Sequence, residues 1–320
     1  MTYKKTETTR LKSSLIGGAL VLSLGISAAM PAAVNSRSYE SHSEIDHGEF
    51  LNLETGKIEY KLPGIASRYL WKLPQRTLTV NGKRLSEPAM MMNGTLYLPL
   101  RAFAESLGDA KVNYNSSTKT ATLSMSGLYL TATDGGFVTY ANDRPLFSFS
   151  PNVLMSNGKM YIPASALTKA LGVEIKSQTN TDITVSGRYT PLTPASKFYR
   201  EDEVYWLSKI ISAESGGESL IGQIAVGDVI MNRVKSSLYP NTIYGVIFDR
   251  KYGVQFSPIL NGTIYNTPNF NSTLAARICL EGFDVSDGAF FFLAPHLATS
   301  SWIPKSREYA FTIGGHDFYR

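Results

Sequence analysis

Between residues 73 and 189 the chain repeats itself, and a duplicated unit limits the available folds more than any other feature of the sequence. Asn93-Gly94-Thr95-Leu96-Tyr97-Leu98-Pro99, with Ala102 and Leu107-Gly108 behind it, returns 64 positions later as Asn157-Gly158-Lys159-Met160-Tyr161-Ile162-Pro163, with Ala166 and Leu171-Gly172. In each copy an Asn-Gly turn leads into a short strand, a proline ends the strand and suits a helix start, and a glycine stops the helix. Further strands are expected at Leu78-Thr79-Val80, Thr120-Ala121-Thr122-Leu123 and Ile183-Thr184-Val185, where β-branched residues cluster. Each unit reads turn, strand, short helix, strand, which gives an α+β region of two related halves.

The remaining sequence divides around this repeat. Residues 1–33 have a basic head (Lys4, Lys5, Arg10, Lys12), an apolar run from Leu15 to Ala29, and small residues at Ser27, Ala28, Ala29, Ala32 and Ala33. This is the pattern of a secretory signal peptide. The competing reading is a retained membrane anchor, which Gly17, Gly18, Ser23 and Gly25 weaken. Residues 34–72 are polar and without sustained period, and residues 190–202, with Pro191 and Pro194, read as a linker. Residues 203–320 turn to helical spacing. The expectation is a two-domain α+β chain, a β-rich repeat domain followed by a mainly helical one.

Charge and cysteine content narrow the function classes. The net charge of +5 is spread as +3 over residues 1–33, +5 over 34–200 and −3 over 201–320, so the chain without its leader is nearly neutral. No dense basic run with interleaved aromatics occurs, which argues against a nucleic-acid partner. The single cysteine, Cys279, allows no intrachain disulfide, and its apolar helical neighbours suit a buried thiol. Residues 73–189 hold neither His nor Cys, and the final domain has only His296 and His316, so neither a metal nor another cofactor is expected.

The chemistry concentrates where two helices meet. Val204, Leu207, Ile210 and Ile211 mark a helix that ends at Ala213-Glu214-Ser215-Gly216-Gly217, and a second helix begins near Glu218. Glu218, in the first turn of that helix, is favoured by the macrodipole and has a structural reading as a capping-box partner of Ser215 beside a chemical one. Glu214 faces the negative end of its helix and gains nothing from the dipole, and the glycines after it open space. That makes Glu214 the better candidate for an acid that protonates a glycosidic leaving group.

Residues 203–320 resemble the SleB/CwlJ family of cell-wall hydrolases, known chiefly as spore-cortex-lytic enzymes. The matching blocks are Ile211 to Glu218, Gly222 to Gly227, Asn232 to Lys235, Pro240 to Ile247, Gln255-Phe256-Ser257-Pro258 and Ile313 to Tyr319. The resemblance implies a lysozyme-like catalytic domain and lytic transglycosylase chemistry on peptidoglycan, with Glu214 catalytic and Glu218 its accompanying acid. Gln255, Phe256 and Ser257 are expected to line the substrate cleft, although a structural turn before Pro258 is the alternative. One departure is Phe291-Phe292-Leu293-Ala294-Pro295, where the family shows an aromatic run followed by Tyr or His, then Asn-Pro. The repeat similarly resembles the stalk-like domain called copper amine oxidase N-terminal-like, on Val80-Asn81-Gly82 and Asn93 to Gly108 including Arg101, with Ser165 replacing that arginine in the second copy. It reads equally as a binder of wall polymer and as a passive spacer.

Together these imply a secreted enzyme of the cell wall or spore envelope, with peptidoglycan of cortex or vegetative wall as partner and with membrane contact only in transit. The alternatives are a non-catalytic wall-binding protein and a hydrolytic muramidase or glucosaminidase. A zinc amidase lacks ligands, and a serine hydrolase lacks its Gly-x-Ser-x-Gly elbow.

Overall fold

The computed structural model describes residues 49–52, 57–60, 73–149, 153–251, 253–298 and 302–320. The leader expected at 1–33 lies outside them, and no helix among the described residues is long and apolar enough to cross a membrane. Within the polar segment before the repeat, Glu49–Asn52 and Lys57–Tyr60 pair as an antiparallel ribbon.

The repeat folds into β-rich structure as its period dictates. Asn93 and Asn157 both take the left-handed conformation, with φ of 47° and 50°, ahead of the strands Thr95–Pro99 and Lys159–Pro163. Pro99 and Pro163 then cap the helices Leu100–Glu105 and Ala164–Leu171. The two equivalent strands pair antiparallel, Tyr97 opposite Pro163, Leu98 opposite Ile162 and Pro99 opposite Tyr161. Leu98 and Ile162 are equivalent positions of the two copies, so a local two-fold passes between them. Both side chains are buried, and slipping the register by one residue would turn them out of the core. The second copy closes back on the first through Asp182–Ser186, which runs parallel to Gln75–Val80. A five-stranded antiparallel meander from Lys111–Asn115 to Arg144–Phe147 lies beside this sheet.

Downstream, three helices form the core of a mainly helical region: Glu201–Ser215, Leu220–Lys235 and Phe270–Leu280. They close on Gly227, where a Cβ would stand 2.7 Å from Cys279 Sγ and 2.8 Å from Ile211 Cδ1. Cys279 is buried there, as its neighbours predict. A three-stranded antiparallel sheet, Phe291–Leu293, His316–Tyr319 and Tyr309–Ile313, covers the end of the second helix and adds β structure to the helical reading.

The Pro-containing segment at 190–202 does not isolate the two regions; it is strapped to both. Thr190 and Leu192 donate backbone hydrogen bonds to Leu171 and Ala170, and the Asn142 amide donates to the Leu192 carbonyl at 2.7 Å. Pro191 and Pro194 interrupt regular pairing within this stretch, and the repeat region supplies acceptors for its backbone N–H groups instead. Across the boundary, Arg144 Nε and Nη2 each donate to Glu281 at 2.8 Å, a two-pronged ion pair with both side chains almost fully enclosed. Lys169 and the Tyr199 hydroxyl also hold Glu281, and the Arg144 guanidinium lies 3.3 Å above the Phe198 ring. Phe147 packs edge-on against Phe283 at 4.7 Å, joining the meander to the helical core.

Removing Arg144 strands a buried carboxylate that keeps two of its partners, so Arg144→Met should cost about 3 kcal/mol, the low end for a broken buried pair. Lys169 is 39% exposed, and Lys169→Met should cost about 1 kcal/mol or less. Urea unfolding of the two variants measures both, and equal losses would contradict the assignment of Arg144 as the principal clasp.

Candidate active site

Glu214 is buried because of where it falls in its helix. Leu207, Ile210, Ile211 and Glu214 recur at the spacing of one helical face, and all four are enclosed, Glu214 with 7% of its surface exposed. The end of this helix is pinned from the third helix. Asn269 caps Phe270–Leu280 by accepting from Ser272 N–H at 2.7 Å, and its amide donates to the Gly216 carbonyl at 2.9 Å. Ser272 in turn donates to Gln223 at 2.7 Å, and the Gln223 amide donates to the Glu218 carbonyl at 2.9 Å. A closed polar network thus fixes the turn that carries both acids.

Arg233, from the second helix, is enclosed nearby. Its Nε donates to the Phe290 carbonyl at 2.8 Å, and the rings of Tyr239, Phe256 and Phe291 surround the guanidinium at 5.1 to 5.4 Å. Burial lowers its pKa, while electrostatic interaction with Tyr239, Asp249 and Glu214 opposes the shift. Arg233 lies in the family-like block Asn232 to Lys235. Its signal there was position, since a charged residue among the inward-facing residues of an apolar helix needs a partner.

Glu218 does not cap the second helix. Ser219 is the N-cap, accepting from Gly222 N–H at 3.2 Å, and the helix starts at Leu220. Ser215 instead donates its hydroxyl to the Ile211 carbonyl. The Glu218 carboxylate reaches the C-terminal hairpin, where Gly315 N–H donates to it at 3.3 Å and His316 Nδ1 lies 3.5 Å away. Gly314 turns there with φ +56°, and a Cβ on it would stand 1.9 Å from Glu218 Oε2, so only glycine permits this approach. Burial raises the Glu218 pKa, but the hydrogen bond and charge of His316, the Gly315 amide and the charge of His296 outweigh it and leave it lowered.

The expected cleft residues are all buried. Phe256 is fully buried, its faces occupied by Arg233 and by Phe292, stacked at 6.5 Å, so it is a packing residue and not a sugar platform. An aromatic beside a buried cation is drawn into the core, which its loop position in the sequence did not reveal. Gln255 and Ser257 are also largely enclosed, Gln255 donating to the Gly253 carbonyl at 3.0 Å and Ser257 opening the helix Ser257–Asn261. Among the described residues no three His, Cys, Asp or Glu side chains converge as a metal centre would need.

With this geometry in view, the chain matches the cell wall hydrolase family over residues 217–319 and the copper amine oxidase N-terminal domain over 79–186. The C-terminal domain belongs to the cell wall hydrolase family. Its matched span opens at Gly217, so Glu218 lies inside it and Glu214 just before it. The chain is 37% identical over 120 residues to the spore cortex-lytic enzyme of Bacillus cereus, covering 38% of this chain and 45% of that one. Identity to the Bacillus subtilis enzyme of the same name is 34% over 120 residues, covering 38% of each. The chain therefore spans less than half the length of the curated relatives it matches. The solved catalytic domain of the germination-specific lytic transglycosylase SleB from Bacillus anthracis is 35% identical, over 39% of this chain and 98% of that one, with a TM-score of 0.36.

In this cell wall hydrolase domain the lowered Glu218 pKa makes a stability prediction. A carboxylate held below its ordinary value of 4.5 adds stability that is present above that value and is lost as pH falls through the folded one. The melting temperature of Glu218→Gln should lie below that of the parent at about pH 6, and the gap should close under acid conditions. A gap that persists below about pH 3 would show that Glu218 does not hold the hairpin as an anion.

Proposed function

We propose that residues 203–320 form a lysozyme-like, mainly helical domain that cleaves the glycan strand of peptidoglycan as a lytic transglycosylase, with Glu214 as its acid and base. The observation that carries this reading is the burial of Glu214 on the apolar stripe of its helix, within Coulombic reach of a buried arginine. Identity of 37% over 120 residues to a spore cortex-lytic enzyme supports it.

In this mechanism Glu214 protonates the oxygen between N-acetylmuramic acid and N-acetylglucosamine as the C–O bond breaks. The resulting carboxylate takes the proton of the muramic C6 hydroxyl as that oxygen bonds to the anomeric carbon. A 1,6-anhydro end forms, no water is consumed, and Glu214 finishes protonated. One carboxyl serves both transfers, so the fixed pair of carboxylates of ordinary glycosidases is not required. Glu218 is then a positioning residue for the hairpin, and Gln255 and Ser257 border the substrate. The chain is exported, its leader removed, and works in the wall or spore envelope; residues 73–189 form the stalk-like domain and 190–202 the connection.

Glu214→Gln keeps the shape and removes the transferable proton. Release of soluble fragments from purified peptidoglycan should fall by about 10² to 10⁴-fold or more, with melting temperature little changed. Glu218→Gln should retain measurable turnover. A folded Glu214→Gln chain with near-normal turnover would remove Glu214 from the chemistry.

A further inference from the structure

A groove of about 620 Å³ opens in the repeat domain where its two copies meet. The short strand Lys83–Arg84 forms one side, Arg101 on the helix Leu100–Glu105 another, and Lys159, which follows the Asn-Gly turn of the second copy, a third. Lys83 and Arg84 are exposed and make no ion pair among the described residues. Arg101 Nη2 donates to the Val112 carbonyl at 2.9 Å, which fixes the guanidinium while most of it stays open to solvent, and Nη1 lies 3.9 Å from Glu105. Lys159 is bound to Glu87 at 2.7 Å, a clasp between the copies that holds Glu87 below the usual carboxylate range. Four cations against Glu87 and Glu105 leave the lining two charges positive.

The cations do not serve the core, which is formed by the apolar faces of the sheets and helices elsewhere in the domain. Held on three sides of a concave space large enough for a sugar or short peptide, they suit a ligand that brings oxyanions. A guanidinium held in place yet open to solvent offers its remaining N–H groups to a carboxylate or phosphate, and the exposed Lys83 and Arg84 add attraction without demanding one geometry.

We propose that this groove is a second, non-catalytic site that binds oxyanions of a wall polymer, either carboxylates of peptide stems or phosphates of an attached polymer. The proposal rests on the wall-acting reading above. Because the repeat domain is clasped to the hydrolase domain through Arg144 and Glu281, polymer held in the groove is kept at a constant spacing from Glu214.

The test uses the full chain carrying Glu214→Gln, with and without Lys83→Glu and Arg84→Glu. Co-sedimentation is measured with three preparations of sacculi: untreated, stripped of phosphate polymers, and stripped with free carboxyls amidated. The double reversal should weaken binding to untreated sacculi about tenfold, and Lys83→Gln with Arg84→Gln by a smaller factor. If the difference disappears on stripping, phosphates are the ligand; if it survives stripping and disappears on amidation, carboxylates are. Equal affinity of both chains for all three, or a difference that survives amidation, overturns the proposal. With Glu214 intact, the double reversal should leave turnover of a short soluble glycan within roughly twofold. Failure of the groove and failure of the catalytic reading are therefore seen in different assays.

Discussion

Arg233 is enclosed within the helical region, and a guanidinium so placed survives only where other groups replace the water it has lost. The Phe290 carbonyl, three aromatic rings and the charges of Glu214 and Asp249 do so here. The arrangement draws Phe256 inward, ties the second helix to the loop before Phe291–Leu293, and gives the buried Glu214 a fixed cation within electrostatic reach. Burial favours the neutral form of a carboxyl and a nearby cation favours the charged form. The proposed role, in which Glu214 gives a proton and then takes one, is served by surroundings that oppose each other in this way.

A second buried charge, Glu281, plays the equivalent part between the two halves of the chain. It is satisfied by Arg144 and Lys169 from the repeat region and by Tyr199 from the connection, so no single region completes its partners. Leaving that carboxylate unpaired in the interior is costly, so parting the two halves carries that penalty. The connecting segment carries two prolines, yet it is held because its residues bond to the repeat on one side and meet the helical core on the other.

The features legible in the sequence were those written in local chemistry. The Asn-Gly turns, the prolines that begin Leu100–Glu105 and Ala164–Leu171, and the glycine after Leu171 specify backbone conformation directly, and the repeat made their pairing visible. Glu214 was legible as a carboxylate at an unfavourable helix end, and it also continues the stripe of Leu207, Ile210 and Ile211. The remainder depended on contacts distant in sequence. Glu218 reads as a cap because it lies just before a helix, but its partners are 97 residues away at Gly315 and beyond. Phe256 reads as a cleft residue because it lies in a loop, and the cation that it packs against comes from the second helix. Arg144 carries no local signal, since its meaning lies in Glu281, 137 positions later.

In the proposed reaction one buried carboxyl performs both proton transfers while the sugar's own hydroxyl, not water, attacks the anomeric carbon. Cleavage of purified peptidoglycan in water enriched in ¹⁸O, followed by mass spectrometry of the new muramic ends, tests it directly. The expected products are 1,6-anhydro ends that carry no heavy oxygen. Reducing muramic ends that each carry one ¹⁸O would contradict it, because water would then be the nucleophile and a single carboxyl would no longer account for the reaction.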